Sequence, residues 1–248
     1  MSLVIAVACE ADADFRAASV LIDRLLRDQH PWIEEHLDTQ RSFVAAVPNH
    51  PWTRLQNAHE LARVRGLRPR KGHFNGQPGE PDALLARSAI LLLSSIRPRP
   101  HVLVIVRDVD NHPRRVIGWQ QAQVEYHGEP PLITGLAIIK RENWILAGYI
   151  PDDETERGRL LSETTNLGFD PTESPHEAHA HEETARRSPK RILASLISLD
   201  GEAKVHREIR CLQEPDLLVL HERGQQVGLA QFLSDLRNLL CPRFGNDS

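Results

Sequence analysis

The chain of 248 residues is 40% hydrophobic and 26% charged, a composition typical of a globular protein that buries a full core. Its net charge of −4 gives no global indication of nucleic-acid binding, so any such surface must be local. The apolar runs are too short to span a bilayer and no signal-type segment is present, so we expect a cytoplasmic protein with no membrane partner. The three cysteines are widely spaced, which favours reduced thiols.

From its start, the chain alternates apolar runs typical of buried strands with amphipathic stretches typical of helices. This alternation predicts an α/β fold with a mostly parallel sheet flanked by helices. The predicted strands cover residues 3–9, 42–47, the first half of 101–112, and 132–139. The predicted helices follow Asp12 and cover 82–96, 114–126 and 142–149.

Residues 48–81 interrupt the alternation and are rich in Gly, Pro and Arg, so we interpret them as an insertion with one helix over 53–64. Five positive charges fall within nine residues of this insertion, which makes it the best local candidate for contacting a nucleic-acid backbone. A solvated charge run is the alternative interpretation. The five residues are Arg63, Arg65, Arg68, Arg70 and Lys71.

The last hundred residues have a different character. Residues 151–187 are acidic and interrupted by Gly and Pro, and we predict loops there with one or two short helices. From Ser188 the pattern is helical again, with Pro189 well placed at the first helical position. We therefore predict an α/β domain over 1–150, and an acidic linker plus a C-terminal helical region packed on it over 151–248.

The histidines of HEAHAHEE (His176, His179 and His181) lack HExxH or paired cysteines, so we interpret them as surface residues rather than as a zinc site.

Carboxylates follow two of the predicted strands. The first strand ends at Glu10, and the strand that starts at His101 ends in Asp108-Val109-Asp110. Because open α/β folds bind ligands at the carboxyl edge of the sheet, we expect the three carboxylates to converge there. In an extended segment Asp108 and Asp110 would point to the same side, and converging oxygens suit Mg²⁺ or Mn²⁺. Alternatively, the aspartates only end the strand and cap the next helix.

These features resemble a TOPRIM domain, the catalytic module of topoisomerases, primases and OLD-type nucleases. Glu10 would match the family glutamate, and Asp108 and Asp110 its paired aspartates, although Ala11 replaces the usual glycine. The segment KRENWILAGY is similar to the E-x-W-x-L-A signature of small bacterial TOPRIM-like proteins of the DUF4276 family. SPKRIL and GLAQFLSDLRNLLCP also resemble that family's C-terminal part. The resemblance implies a TOPRIM-like sheet with a C-terminal helical extension and a metal-dependent nuclease-like activity, often suspected in phage defence.

Phosphodiester hydrolysis needs cations that neutralise the scissile phosphate and a water held in line with it. Lys140 could stabilise the developing charge, and Glu142 could bind metal or water or act as general base. A solvated lysine and an ordinary carboxylate at a helix start are equally open interpretations for these two. Trp144 is interpreted as a core residue. The predicted metal ligands are Glu10, Asp14, Asp108 and Asp110.

The sequence thus predicts a Mg²⁺- or Mn²⁺-dependent nuclease acting on DNA or RNA, in bacterial phage defence. The alternative is a non-catalytic TOPRIM-like binding or regulatory module that partners an ATPase. Two features favour this alternative: Ala11 follows Glu10 in place of the family's glycine, and the chain carries more acidic than basic residues. A glycosyltransferase would account for the Asp pair but not for Glu10. No GxxxxGK[ST] or GxGxxG motif occurs, which disfavours a P-loop ATPase or a Rossmann dehydrogenase.

Overall fold

The computed structural model describes residues 2–69 and 72–244. It is an α/β protein with a mostly parallel central sheet in the order β2-β1-β6-β7, so the predicted fold class is confirmed. A fifth strand, β3, also pairs with β1, and β4 and β5 form a separate antiparallel pair. The strands are β1 Leu3–Cys9, β2 Arg41–Val44, β3 Thr53–Arg54, β4 His73–Phe74, β5 Gln77–Pro78, β6 Val102–Asp108 and β7 Leu132–Ala137.

Helices occupy most of the rest of the described chain. Among the described residues, no helix combines the length and apolar character needed to cross a membrane. The α-helices are α1 Asp12–Gln29, α2 Leu37–Gln40, α3 Ala58–Val64, α4 Ala83–Ser94, α5 Pro113–Glu125, α6 Arg141–Ala147, α7 Glu154–Leu167, α8 Pro189–Ile197, α9 Gly201–Gln213, α10 Leu217–Arg223 and α11 Leu229–Asp235.

The described residues group into two compact units. Of the described residues, the first unit comprises 2–69, 72–107, 112–136 and 234–244, and the second comprises Asp108–Asn111 and Ala137–Leu233. The predicted division at residue 150 falls between α6 and α7, both of which belong to the second unit.

In the first unit, β1 and β6 form the centre of the sheet. Both strands are apolar and almost completely buried, as expected for strands covered on both faces. They pair in parallel with Ala8 opposite Ile105, while β2 and β3 share the other side of β1. Parallel neighbours end at the same edge of a sheet, so Glu10, directly after β1, and Arg107, near the end of β6, lie at one edge.

The prediction of a helix from residue 53 was wrong at its start. Thr53 pairs with Ala8 as part of β3, and its buried hydroxyl accepts a hydrogen bond from the Ala46 N–H at 2.8 Å. The helix α3 begins only at Ala58. Pairing with the sheet therefore decides the conformation of the β-branched Thr53, which local spacing could not indicate.

The prediction of only loops and short helices over 151–187 was wrong for 154–167, where α7 forms a helix of 14 residues. Asp153 caps its start by accepting from the Glu156 N–H at 2.8 Å, and Gly168 ends it with a φ of 82°. Glu163 binds Arg191 of α8 at 2.6 Å, which fastens α7 to its neighbour within the second unit. The acidic composition of residues 151–187 therefore did not indicate α7, a helix that is capped at both ends and whose Glu163 has a specific partner.

Candidate functional site

The Asp108–Asn111 segment of the second unit forms a tight turn. β6 ends at Asp108, and Asp110 and Asn111 have positive φ angles of 51° and 50°. The left-handed conformation is uncommon outside glycine, although Asp and Asn tolerate it best. The prediction that the segment stays extended through Asp110 was therefore wrong. Val109, between the two aspartates, is fully buried and anchors the turn.

Two backbone hydrogen bonds fix this turn against the last residue of β7 and the residue that follows it. The N–H groups of Val109 and Asn111 donate to the carbonyls of residues 137 and 138 at 2.9 and 2.7 Å. As a result, the Nζ atom of Lys140 lies 3.8 Å from Oδ1 of Asp110. The side chain of Lys140 is 15% exposed and that of Asp110 is 40% exposed, so this pair faces solvent mainly through the carboxylate.

Asp108 is held at the start of α6. Its Oδ1 accepts a hydrogen bond from the backbone N–H of Arg141 at 2.9 Å. The buried Arg141 guanidinium lies 3.2 Å from Glu208 of α9 and 3.5 Å from the Glu142 carboxylate. Of the predicted site residues, the structure thus places Asp108 and Glu142 around the same first turn of α6.

Asn143 supports this arrangement from beneath. The side chain is fully buried, and its Oδ1 accepts from the Lys140 N–H at 3.2 Å. Its Nδ2 donates to the carbonyls of Pro175 and Ala178 at 2.6 and 2.9 Å. Asn143 therefore caps α6 and ties the Lys140 backbone to the segment that precedes α8. An alanine at this position would leave buried carbonyls without these donors.

Trp144 belongs to the core, as predicted. The side chain is fully buried and its indole ring stacks on Phe232 with the ring centroids 5.4 Å apart. Its Nε1–H donates to the carbonyl of Val227 at 2.8 Å, which satisfies the only polar group of the indole. The ring is therefore not available as a platform for stacking bases.

Two residues that the sequence did not single out, Lys190 and Glu183, form an ion pair beside the residues at the first turn of α6. Lys190 of α8 binds Glu183 with Nζ and Oε1 2.5 Å apart. This hydrogen bond raises the pKa of Lys190, and the carboxylates of Glu142 and Asp108 raise it further. The same bond lowers the pKa of Glu183, and Lys140 contributes in the same direction.

The sequence held only a weak signal for this pair. Lys190 lies within SPKRIL, a segment noted for its resemblance, but nothing in that motif assigns a role to the lysine. Glu183 is one of ten acidic residues between positions 151 and 183, and no spacing distinguishes it.

The charges of the second-unit cluster do not cancel. Five carboxylates stand with four cationic side chains, since Lys204 of α9 also lies 4.0 Å from Glu208, which leaves an excess of one negative charge. Where two carboxylates lie close together they repel each other, and a bound divalent cation relieves that repulsion. The residues are Asp108, Asp110, Glu142, Glu183 and Glu208, with Lys140, Arg141, Lys190 and Lys204.

Glu10 has its partners in the first unit. Arg107 donates from Nη1 to Glu10 Oε1, and its Nη2 lies 3.1 Å from Oδ2 of Asp82. Gln56 also donates to Glu10, at 3.2 Å, and Arg115 lies 3.8 Å from Asp82. The Arg107 guanidinium is thus enclosed between two carboxylates at the carboxyl edge of the sheet. The predicted convergence of Glu10 with the two aspartates stays a prediction.

Asp14 has a structural partner close in sequence. Its Oδ2 accepts a hydrogen bond from the N–H of Ala11 at 2.9 Å, and the residue is only 7% exposed. The carboxylate therefore stabilises the first turn of α1, where a negative charge also interacts favourably with the helix dipole. Its proposed role as a second metal ligand stays a prediction.

The basic segment of the insertion is described only in part, because Arg70 and Lys71 lie outside the described residues. Arg63, Arg65 and Arg68 are exposed, and Arg65 donates to the carbonyl of Ala46. In the acidic segment of the second unit, His179 and His181 are exposed and His176 is partly exposed, in agreement with their interpretation as surface residues.

The donor chemistry of the Asp108–Asn111 turn suits a hard divalent cation. Asp108 and Asp110 supply carboxylate oxygens from one short turn, and each carboxylate has about four acceptor positions. Glu10, in contrast, is engaged by the Arg107 guanidinium, a competing cation. Among the described residues, no group of three or more His, Cys, Asp or Glu side chains is arranged to hold a metal ion.

Comparison of the chain with family models, curated proteins and solved structures gave no match in any of the three. The resemblance to TOPRIM-like proteins therefore depends on the short sequence motifs. Functional inference depends on those motifs together with the two charged clusters described above.

Proposed function

We propose that this protein is a Mg²⁺- or Mn²⁺-dependent nuclease that hydrolyses phosphodiester bonds of DNA or RNA, in bacterial phage defence. The observation that carries the proposal is the Asp108–Asn111 turn, which presents two carboxylates beside Lys140. The TOPRIM-like motifs supply the reaction class.

Asp108 and Asp110 would hold the cation, which when bound neutralises the scissile phosphate and lowers the pKa of the attacking water. Lys140 stands next to Asp110, where its ammonium would donate to a phosphate oxygen as negative charge develops. Glu142 lies in the first turn of α6 against Arg141, and its carboxylate would accept the proton of the attacking water. The buried Asn143 cap holds the backbone that carries these two residues.

One observation favours the second candidate function, a non-catalytic binding or regulatory module that partners an ATPase. The Arg107 guanidinium neutralises Glu10, the residue that the TOPRIM resemblance assigns to the metal. A domain that no longer binds metal through this glutamate could keep such an ion pair in place of a metal ion. The two candidates differ in whether the protein cleaves nucleic acid at all.

Cleavage assays with Asp110→Asn test the proposal. The wild-type protein should nick or cleave DNA, RNA or transfer RNA with Mn²⁺ or Mg²⁺, with candidate ATPase partners present where needed. Asp110→Asn should lower the rate by at least about 100-fold, the upper end of what is lost when residues supporting a metal ligand are replaced. Asparagine tolerates the positive φ at this position, so the turn should keep its shape.

Asp216→Asn is the matched control. Asp216 caps α10 by accepting from the Leu218 N–H at 2.8 Å, and asparagine caps a helix equally well. This variant undergoes the same change of charge and should keep full activity. Equal cleavage by wild type and Asp110→Asn on every substrate would point to a contaminating nuclease and leave the binding module as the function.

A further inference from the structure

Lys190 and Glu183 form a short but solvent-exposed ion pair. Their side chains are 42% and 68% exposed although Nζ and Oε1 lie only 2.5 Å apart. Exposed pairs of this kind contribute little to stability, because water and salt screen them and both side chains lose freedom. The pair can therefore open at small cost when another anion approaches the ammonium group.

The backbone that carries this pair is firmly held beside the Asp108–Asn111 turn. Asn143, which caps the Lys140 backbone, donates to the carbonyl of Ala178, five residues before Glu183. Ala180 then donates to the carbonyl of Arg187 at 3.1 Å, which closes the segment into a loop directly before α8. Since α8 also packs on α6, the loop and the start of α8 keep a fixed position relative to the turn.

The two lysines and the carboxylates of the turn act on each other across this arrangement. Lys140 is paired with Asp110, and Lys190 with Glu183. Besides Glu183, the carboxylates of Asp108 and Glu142 act on the Lys190 ammonium and raise its pKa, which keeps it charged. A phosphate group bound at the turn would therefore meet a second cationic lysine in addition to Lys140.

We propose that Lys190 is a second phosphate-binding residue of this site, and that Glu183 occupies the phosphate position on Lys190 in the free protein. The inference rests on the proposed function in that its ligand is a backbone phosphate of nucleic acid. On binding, the phosphate displaces Glu183 from Lys190, so Glu183 competes with the substrate. Lys190 thus favours nucleic-acid binding and Glu183 opposes it.

Opposite effects of two substitutions distinguish this role from a structural one. Lys190→Ala should weaken binding of a short fluorescein-labelled single strand by about tenfold or more, the usual loss for a hydrogen bond to a charged group. It should also reduce the slope of log affinity against log salt by about 0.7. Lys190→Arg, which keeps the charge, should retain most of the affinity. Glu183→Gln should tighten binding by up to about fivefold, because the competing carboxylate is gone.

The Arg157–Glu154 pair of α7 is the matched control, because it too is an exposed ion pair of the second unit. Arg157→Ala and Glu154→Gln should leave binding unchanged. Fluorescence anisotropy is measured in EDTA and again with Ca²⁺, with melting temperatures recorded for every variant. Inorganic pyrophosphate serves as a competitor, to show whether the site takes any phosphate or only the nucleic-acid backbone.

If the ion pair has only a structural role, Lys190→Ala and Glu183→Gln should change the affinity for the labelled strand in the same direction. That result would overturn the inference. Absence of binding by the wild type under both conditions would also overturn it. The nuclease proposal is judged separately by cleavage with Asp110→Asn. Cleavage without opposite binding effects would leave the nuclease standing and remove Lys190 from its site. Opposite binding effects without cleavage would keep the phosphate site and support the binding module.

Discussion

Replacing Arg107 by methionine tests the first-unit network most directly. Arg107 is 7% exposed and lies between Glu10 and Asp82, whose side chains are 25% and 15% exposed. Methionine keeps much of the apolar stem but leaves two carboxylates facing each other without the guanidinium. Loss of one partner from a fully buried pair costs about 3–5 kcal/mol, and water reaching Glu10 screens part of this. We therefore expect a loss of about 2–4 kcal/mol in the free energy of unfolding.

Urea denaturation followed by circular dichroism measures this loss, and the melting temperature should fall by about 4–16 °C for a chain of this size. Arg114→Met is the control, because Arg114 binds Glu80 at 2.6 Å with a side chain that is 66% exposed. That substitution should change the free energy of unfolding little, because water and salt screen an exposed ion pair. A loss for Arg107→Met no larger than for Arg114→Met would refute the claim that burial strengthens this network.

Divalent cations supply a second readout of the same variant. If Glu10 is a metal ligand, as the TOPRIM resemblance implies, removal of Arg107 removes its competitor. Mn²⁺ should then raise the melting temperature of Arg107→Met by more than it raises that of the wild type, because a cation that binds only the folded state stabilises it. An equal rise in both proteins would show that Glu10 does not bind the metal.

Two further predictions concern the second unit. Burial raises the pKa of Glu156, but hydrogen bonds from Arg207 and the backbone lower it by more, so it lies below its ordinary value. Glu156 therefore stabilises the fold above the unfolded pKa of about 4.3, and this contribution is lost as the pH falls through the lower folded value. Acid titration should accordingly show a shallower loss of stability below about pH 4 for Glu156→Gln, and identical slopes would contradict this. Gly148→Ala should cost about 1–3 kcal/mol or more, because the new Cβ would lie 1.9 Å from a backbone carbonyl of α9, whereas Gly158→Ala meets nothing within 4 Å and should not destabilise.

The sequence by itself determined the fold class and most of its regular elements. The strand predicted over residues 3–9 is β1, and the helices predicted over 82–96 and 114–126 are α4 and α5 with ends shifted by one or two residues. Strands buried on both faces and helices with one apolar face impose these periods on the sequence, so local patterns suffice to find them. Trp144, interpreted from the sequence as a core residue, is fully buried.

Only the tertiary structure decided which charged residues meet. Arg107 and Glu10 are 97 positions apart, and Arg141 and Glu208 are 67 apart, so no local spacing could pair them. The left-handed turn at Asp110 depends on hydrogen bonds to the end of β7 and to the residue after it, which tertiary pairing supplies. Charged residues show no sequence periodicity that identifies their partners, because many surface positions accept a charged side chain. Their roles follow from the neighbours that the fold brings within reach, and those neighbours come from distant parts of the chain.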